Sequence, residues 1–407
     1  MLDGVRVLDL AREPGFFAGK LLGDLGADVV KIEPPRGDAA RRRPPFWGDT
    51  EDPERSLVWL ALNTSKRGIT LDLERPRGRE LFVDLAARAD VVIETEPPSA
   101  KEARGLGWAA LTARNPRLVL CSITPFGQSG PWANHRGSDL TVTAMSGNMW
   151  GTGDPDRPPV RCSMPVSYYH AGIEAAAGIV FALLAREQTG RGQQVDVALQ
   201  ETMLAPNIGT VAMFRMTGNR GARVGAFMRQ GDSVQREIWP CKDGFVSFAL
   251  RGGPARIPGL VAIVRYMDEH GMASERLKAM DWKTYNHNLL TQDEVDALSA
   301  EFDAFFRTKT TADLYDAACA HNLMLAPINT PREMAVSEQL TAREFFVDVE
   351  LPGRGSLRYP GPFARSSASD IGIHRPPPRL GEHTAEVLAE IGVDAAAVAR
   401  LRTEGVV

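Results

Sequence analysis

The chain has 407 residues, a formal net charge of -4, 43% hydrophobic residues and 24% charged residues. That length permits two domains with cores of their own, and the mild charge argues against a nucleic-acid partner or an anionic membrane surface. Cys121, Cys162, Cys241 and Cys319 are far apart and form no C-x-x-C pair, which argues against a zinc site or a disulfide framework and fits a reducing cytoplasm.

Residues 5–10 read as a short buried strand, 17–25 as a helix and 27–33 as the next strand, which together make a βαβ unit. The same order continues with a helix over 78–89 and strands over 90–94 and 118–123, so the expected fold is α/β with a doubly wound, mostly parallel sheet. Gly15, Gly19 and Gly23 lack the G-x-G-x-x-G spacing, so no NAD site is expected. The acids Asp154 and Asp156 fall in a Gly/Pro-rich loop, where turn formation is the expected use. Between 171 and 187, Ile173, Ala176, Ala177, Val180, Leu183 and Leu184 recur at helical spacing, and Gly190 and Gly192 end that helix before a strand over 194–198. Residues 218–223 read as a flexible connection, and 234–250 as a β-hairpin turning at Lys242-Asp243-Gly244. Helices over 259–271, 292–306 and 312–320 complete a second unit. The neighbourhood of the long helix offers few chemically active groups: Glu174 within it, and His135 and His170 near it, where a lone loop histidine is more often structural. No run reads as a secretory leader or as a membrane span.

Several motifs resemble the family III CoA-transferases (CaiB/BaiF family). They are Gly26-Ala-Asp-Val-Val-Lys-Ile-Glu33 with Gly37, Asp38 and Arg41, Asn63-Thr-Ser-Lys-Arg67, Phe126-Gly-Gln-Ser-Gly-Pro131, the segment Pro165-Val-Ser-Tyr-Tyr-His-Ala-Gly172 with Thr189-Gly-Arg-Gly-Gln-Gln-Val-Asp196, and Pro376-Pro-Pro-Arg-Leu-Gly-Glu-His-Thr384. The resemblance implies a Rossmann-like large domain made of both chain ends, a smaller α+β domain and an interlocked dimer. The expected division is a large domain over 1–203, a linker over 204–228, a small domain over 229–325 and a return to the large domain over 326–407. It also implies CoA thioesters as substrates rather than a resident cofactor, and Arg41, Lys66 and Arg67 as contacts for the CoA phosphates.

The resemblance makes one absence informative. In the family an aspartate four residues before the first glycine of the helix attacks the thioester carbon, and here that position is Tyr168. Tyrosine cannot form the acyl anhydride and CoA thioester that a carboxylate forms, which leaves Glu174 as the substitute to weigh. At 95–98 the chain has Thr-Glu-Pro-Pro where most members have Asn-Phe at the adenine site, and Glu96 is expected to oppose an anionic ligand. A racemase of the family would carry histidine where Ser138 stands before Asp139. The chain therefore reads as the non-catalytic subunit of a heteromer with an aspartate-bearing paralogue, as in the benzylsuccinate subgroup of aromatic degradation. The alternative is an active enzyme that uses a residue such as Glu174.

Overall fold

Six short segments, five of them fully buried but for one residue or none, form the central sheet: β1 (Arg6–Asp9), β2 (Asp28–Glu33), β3 (Lys66–Thr70), β4 (Val91–Glu94), β5 (Val119–Thr124) and β6 (Gln194–Ala198). All neighbours are parallel, in the order β3-β2-β1-β4-β5-β6. This doubly wound order reverses direction between β1 and β4, and the crevice outside the carboxyl ends of the strands there is where such sheets bind ligands. The computed structural model describes residues 1–218 and 220–407.

Side chains on a strand alternate between faces, and both faces of this sheet are covered. Val7, Val29, Val91, Ile93, Val119 and Cys121 pack under α1 (Phe16–Asp24) and the long Val166–Thr189 helix. Leu8, Val30, Ile32, Ile69, Val92 and Leu120 face Leu81, Phe82 and Leu85 of another helix, together with Val387, Leu388, Val398 and Leu401 from the chain's end. The intervening helices are α2 (Leu57–Leu62), α3 (Pro76–Ala86), α4 (Pro98–Ala103), α5 (Trp108–Arg114) and α6 (Asp139–Met145), and the long helix is α7 (Val166–Thr189). Gly190 caps α7 with φ 69°, a conformation that glycine adopts without strain.

The chain's end returns to the edge strand. The Thr70 amide donates to Thr384 Oγ1 at 3.1 Å and the Gly68 amide to His383 Nδ1 at 3.2 Å. By compactness the chain forms one unit of Met1–Asn148, Arg161–Gly218 and Thr341–Val407, and a second of Met149–Val160 with the described residues of 219–340.

The second unit has a three-stranded antiparallel sheet of β9 (Ile238–Pro240), β10 (Phe245–Phe248) and β11 (Leu325–Pro327), in the order β11-β10-β9. The hairpin turns at 242–244 as expected from sequence. Trp239, Phe248, Phe302 and Phe306 form its aromatic core with the helices Ile257–Glu269 and Gln292–Phe306. A separate hairpin of β7 (Phe227–Gln230) and β8 (Ser233–Arg236) precedes it, and β12 (Phe346–Leu351) pairs with β13 (Gly355–Pro360) in the first unit.

Three details differ from the sequence reading. The strand β3 was legible only as a motif. The helix α7 begins five residues earlier than 171, so Tyr168 and His170 lie in its opening turns. Within 204–228, read as a linker, residues Ile208–Thr217 are helical, because Gly218 in the left-handed conformation ends a helix that the linker reading did not anticipate.

Candidate functional site

At the carboxyl edge of β1 to β4 lies a cavity of about 490 Å³. Its floor is apolar: Leu10, Ile32, Leu71, Val92, Leu106 and Leu120 come from the strands and from the connection before α5. Its walls are charged, and most of those charges are already matched. Glu33 accepts from Arg41 Nε at 2.7 Å and from the Asp38 amide at 2.9 Å. Lys101 donates to Glu94 at 2.6 Å and to Ser122 at 2.8 Å. Arg104, at the end of α4, binds Glu96 at 2.5 Å and Glu74 at 2.8 Å. The hydrogen bond that Arg104 donates to Glu96 raises the guanidinium above its ordinary pKa despite partial burial. Glu96 is therefore a paired carboxylate, and the repulsion expected of it from sequence is largely offset. Three exposed arginines on the lining, Arg12, Arg36 and Arg42, have no carboxylate within ion-pair distance among the described residues.

The cations singled out from sequence sit elsewhere. Arg41 is buried between Glu33 and Glu54 and lies 3.8 Å from the Trp59 ring centroid. Lys66 is fully buried and donates to Asp9 at 2.8 Å, to the Phe16 carbonyl at 2.9 Å and to Asn63 Oδ1 at 2.9 Å. Burial pushes its ammonium down to about 8 even though Asp9 opposes the change. Arg67 binds Asp28 at 2.6 Å, Glu386 at 2.7 Å and Glu390 at 2.7 Å. All three carry the right charge for phosphate, yet internal carboxylates already occupy them, and none is on the lining of the large cavity.

At the head of α7, Tyr168 and Tyr169 line a smaller pocket of about 240 Å³ with Phe17, Leu57, Val58 and Glu13. The Asp139 amide donates to the Tyr168 hydroxyl at 3.3 Å, and Asp139 Oδ1 accepts from the Ser167 amide at 3.1 Å and from Ser167 Oγ at 2.8 Å. Tyr169 meets Phe17 edge to face at 5.5 Å. Burial raises both phenols above their ordinary pKa; for Tyr168 the hydrogen bond from the Asp139 amide opposes the rise and the nearby carboxylates add to it, and for Tyr169 Glu13 adds to it. They are neutral at physiological pH.

Glu174 is on another side of the same helix. Six residues further on is about 600° of rotation, or 240° from Tyr168, and Glu174 is exposed and absent from the pocket lining. Its carboxyl is raised by burial, with His170 opposing and Glu201 adding to the shift. His135 and His170 are exposed, and neither lines this pocket.

Sequence reasoning missed Glu13, the only carboxylate among the described residues on this pocket, which is ion-paired with Arg43. The signal that could have found it is its place directly after β1, at the carboxyl edge of the sheet. Consecutive residues divide the two cavities: Arg12 and Arg42 face the larger, and Glu13 and Arg43 the smaller.

A doubly wound parallel sheet with an arginine-rimmed cavity at its switch point defines an α/β protein with a crevice where such sheets bind ligands. The chain belongs to CoA-transferase family III, whose profile it matches over residues 2–384. It is 32% identical to the succinyl-CoA:(R)-benzylsuccinate CoA-transferase subunit BbsE of Thauera aromatica, over 99% of this chain and 97% of that protein. It is also 32% identical to a succinate–glutarate CoA-transferase of Agrobacterium fabrum, over 96% of this chain and 95% of that one. Among solved structures, a CaiB/BaiF family protein from Brucella suis superposes with a TM-score of 0.81 at 30% identity, over 96% of this chain and 99% of its own.

Proposed function

We propose that this chain is one subunit of a CoA-transferase that moves CoA between carboxylic acids, and that an aspartate-bearing paralogue supplies the nucleophile. The observation that carries the reading is Tyr168: the helix position for the attacking carboxylate holds a neutral phenol whose oxygen accepts a hydrogen bond from the Asp139 amide. Family transfer needs a carboxylate that becomes in turn an acyl anhydride, a CoA thioester and a second anhydride, and a phenol supplies none of these. Glu174, the substitute weighed from sequence, faces away from the pocket. A relative that is itself named as a subunit supports the same reading.

The large cavity suits the nucleotide end of CoA, with its apolar floor against the adenine and Arg12, Arg36 and Arg42 as forks for the phosphates. In this reading Arg41, Lys66 and Arg67 brace the walls. Exposed apolar side chains support an extensive interface with a second chain. Ile173, Phe181 and Leu184 on α7 are 53%, 69% and 63% exposed, and Ile208 and Met216 on the helix Ile208–Thr217 are 74% and 84% exposed. Such a surface marks an interaction site. An interlocked heterodimer in the cytoplasm is the assembly this reading expects.

Co-expression with an aspartate-bearing paralogue tests it. A stable 1:1 complex is expected, with transferase activity that disappears when the partner's aspartate is replaced by asparagine. Hydroxylamine trapping with acyl-CoA should label no acidic residue of this chain. An active homodimer, or a hydroxamate on this chain at Glu13 or Glu174, would overturn the reading.

A further inference from the structure

The loop after β3 carries Glu74, and the loop after β4 carries Glu96. In the sheet those strands are separated by β2 and β1, so their ends are about 14 Å apart at three strand spacings of ~4.8 Å. The two loops nevertheless converge on one side chain: Arg104 donates to Glu96 through one guanidinium nitrogen at 2.5 Å and approaches Glu74 with the other at 2.8 Å. All three residues line the large cavity, and its floor runs across the four strands beneath them. A single cation between two carboxylates leaves this three-residue cluster with a net negative charge. Glu74 is 73% exposed on its side chain, whereas Glu96 and Arg104 are 27% and 23% exposed, so the Glu96 bond is the better-sheltered half.

We infer that Arg104 is a latch across this cavity, held by Glu96 and Glu74 while the site is empty and transferred to a phosphate of the entering nucleotide. The inference rests on reading the cavity as the nucleotide site, and it goes further by making Glu96 the residue that sets how tightly the phosphates are held. A guanidinium that exchanges one anionic partner for another keeps its charge matched throughout, so entry requires no unpaired cation. The carboxylates left behind then face the ligand's phosphates, which lowers affinity below what the arginines alone would give. Position 96 is thus a specificity-determining residue acting through Arg104.

Calorimetric titration of the full chain with adenosine 3′,5′-bisphosphate and with CoA tests this, at low salt and again at high salt. Glu96→Gln should bind both about threefold to fivefold tighter, the range of one partly exposed ion pair, and Glu74→Gln should shift them the same way by less. Arg104→Gln should weaken both, and adenosine, which has no phosphate, should bind all variants alike. Circular dichroism of each variant confirms that the fold is kept, and the exposed Glu74→Gln provides a second reading should Glu96→Gln misfold. Binding that neither Glu→Gln change tightens, or that Arg104→Gln leaves unchanged or strengthens, would overturn the latch while leaving the nucleotide site standing. No binding of either probe to any form would overturn the nucleotide reading and the latch with it.

Discussion

Two ammonium groups, Lys31 and Lys66, share the carboxylate of Asp9 in the core below the site, and none of the three side chains is more than 1% exposed. The cluster has one positive charge in excess, which backbone carbonyls and Asn63 help to hold. Burial places the Lys66 ammonium near pH 8 in the folded chain against 10.5 for a free lysine. The unfolded chain therefore binds the proton more tightly, and this group's cost to stability is full below about pH 8 and fades as pH rises to 10.5. Cys121, Tyr285 and Tyr359 act with the opposite sign, since burial raises them and stability is lost as they ionise in the unfolded chain. Those three groups are common to wild type and Lys66→Met, so the difference between the two isolates Lys66. Denaturant unfolding at steps from pH 7 to 10.5 should show wild type gaining on Lys66→Met by about 3 kcal/mol, an order of magnitude taken from ~1.4 kcal/mol per pKa unit. A difference that does not change with pH would show that Lys66 keeps its ordinary lysine pKa in the folded chain.

Among the elements, the contact of α1 with α7 decides where the smaller pocket lies. It is built mostly from small residues. Ala171, Ala175 and Ala182, with Ile179, are buried in it, and a Cβ placed on Gly172 would stand 2.8 Å from Phe17 Cβ and 3.2 Å from the Ala18 nitrogen. Gly172→Val is expected to destabilise the chain by about 1–3 kcal/mol through overpacking, read as a lower denaturant midpoint with an unchanged slope. Because Phe17 packs on Tyr169, the same change should also disturb the pocket at the head of α7. Helical spacing made the body of α7 legible from sequence, but its first turn was not. Ser167 is fixed there by Asp139, a partner 28 residues earlier that no periodicity reveals.

For the whole molecule, the proposed assembly places the open faces of α7 and of the helix Ile208–Thr217 against another chain. Phe181→Asp combined with Met216→Asp should prevent the 1:1 complex while leaving the far-ultraviolet circular dichroism of this chain unchanged, because both side chains are mostly exposed. Light scattering after co-expression reads the outcome, and a complex that survives both charges would remove this surface from the interface. Legibility from sequence follows the range of the interactions involved. The alternation of buried strands and helices, the order that makes the sheet parallel, and the family motifs, with a tyrosine at position 168, are all local patterns, and the sequence by itself determined them. Which charged groups are free for a ligand was decided only by the tertiary structure. Arg67 finds Glu386 and Glu390 more than 300 residues away, Arg41 reaches the Pro378 carbonyl, and Glu96 meets Arg104 across a helix. Motif position fixes a cation's place on its strand, but an ion pair depends on a carboxylate that folding brings within about 4 Å. Arg41, Lys66 and Arg67 are therefore tied to internal carboxylates, and Arg12, Arg36 and Arg42 remain exposed on the cavity lining.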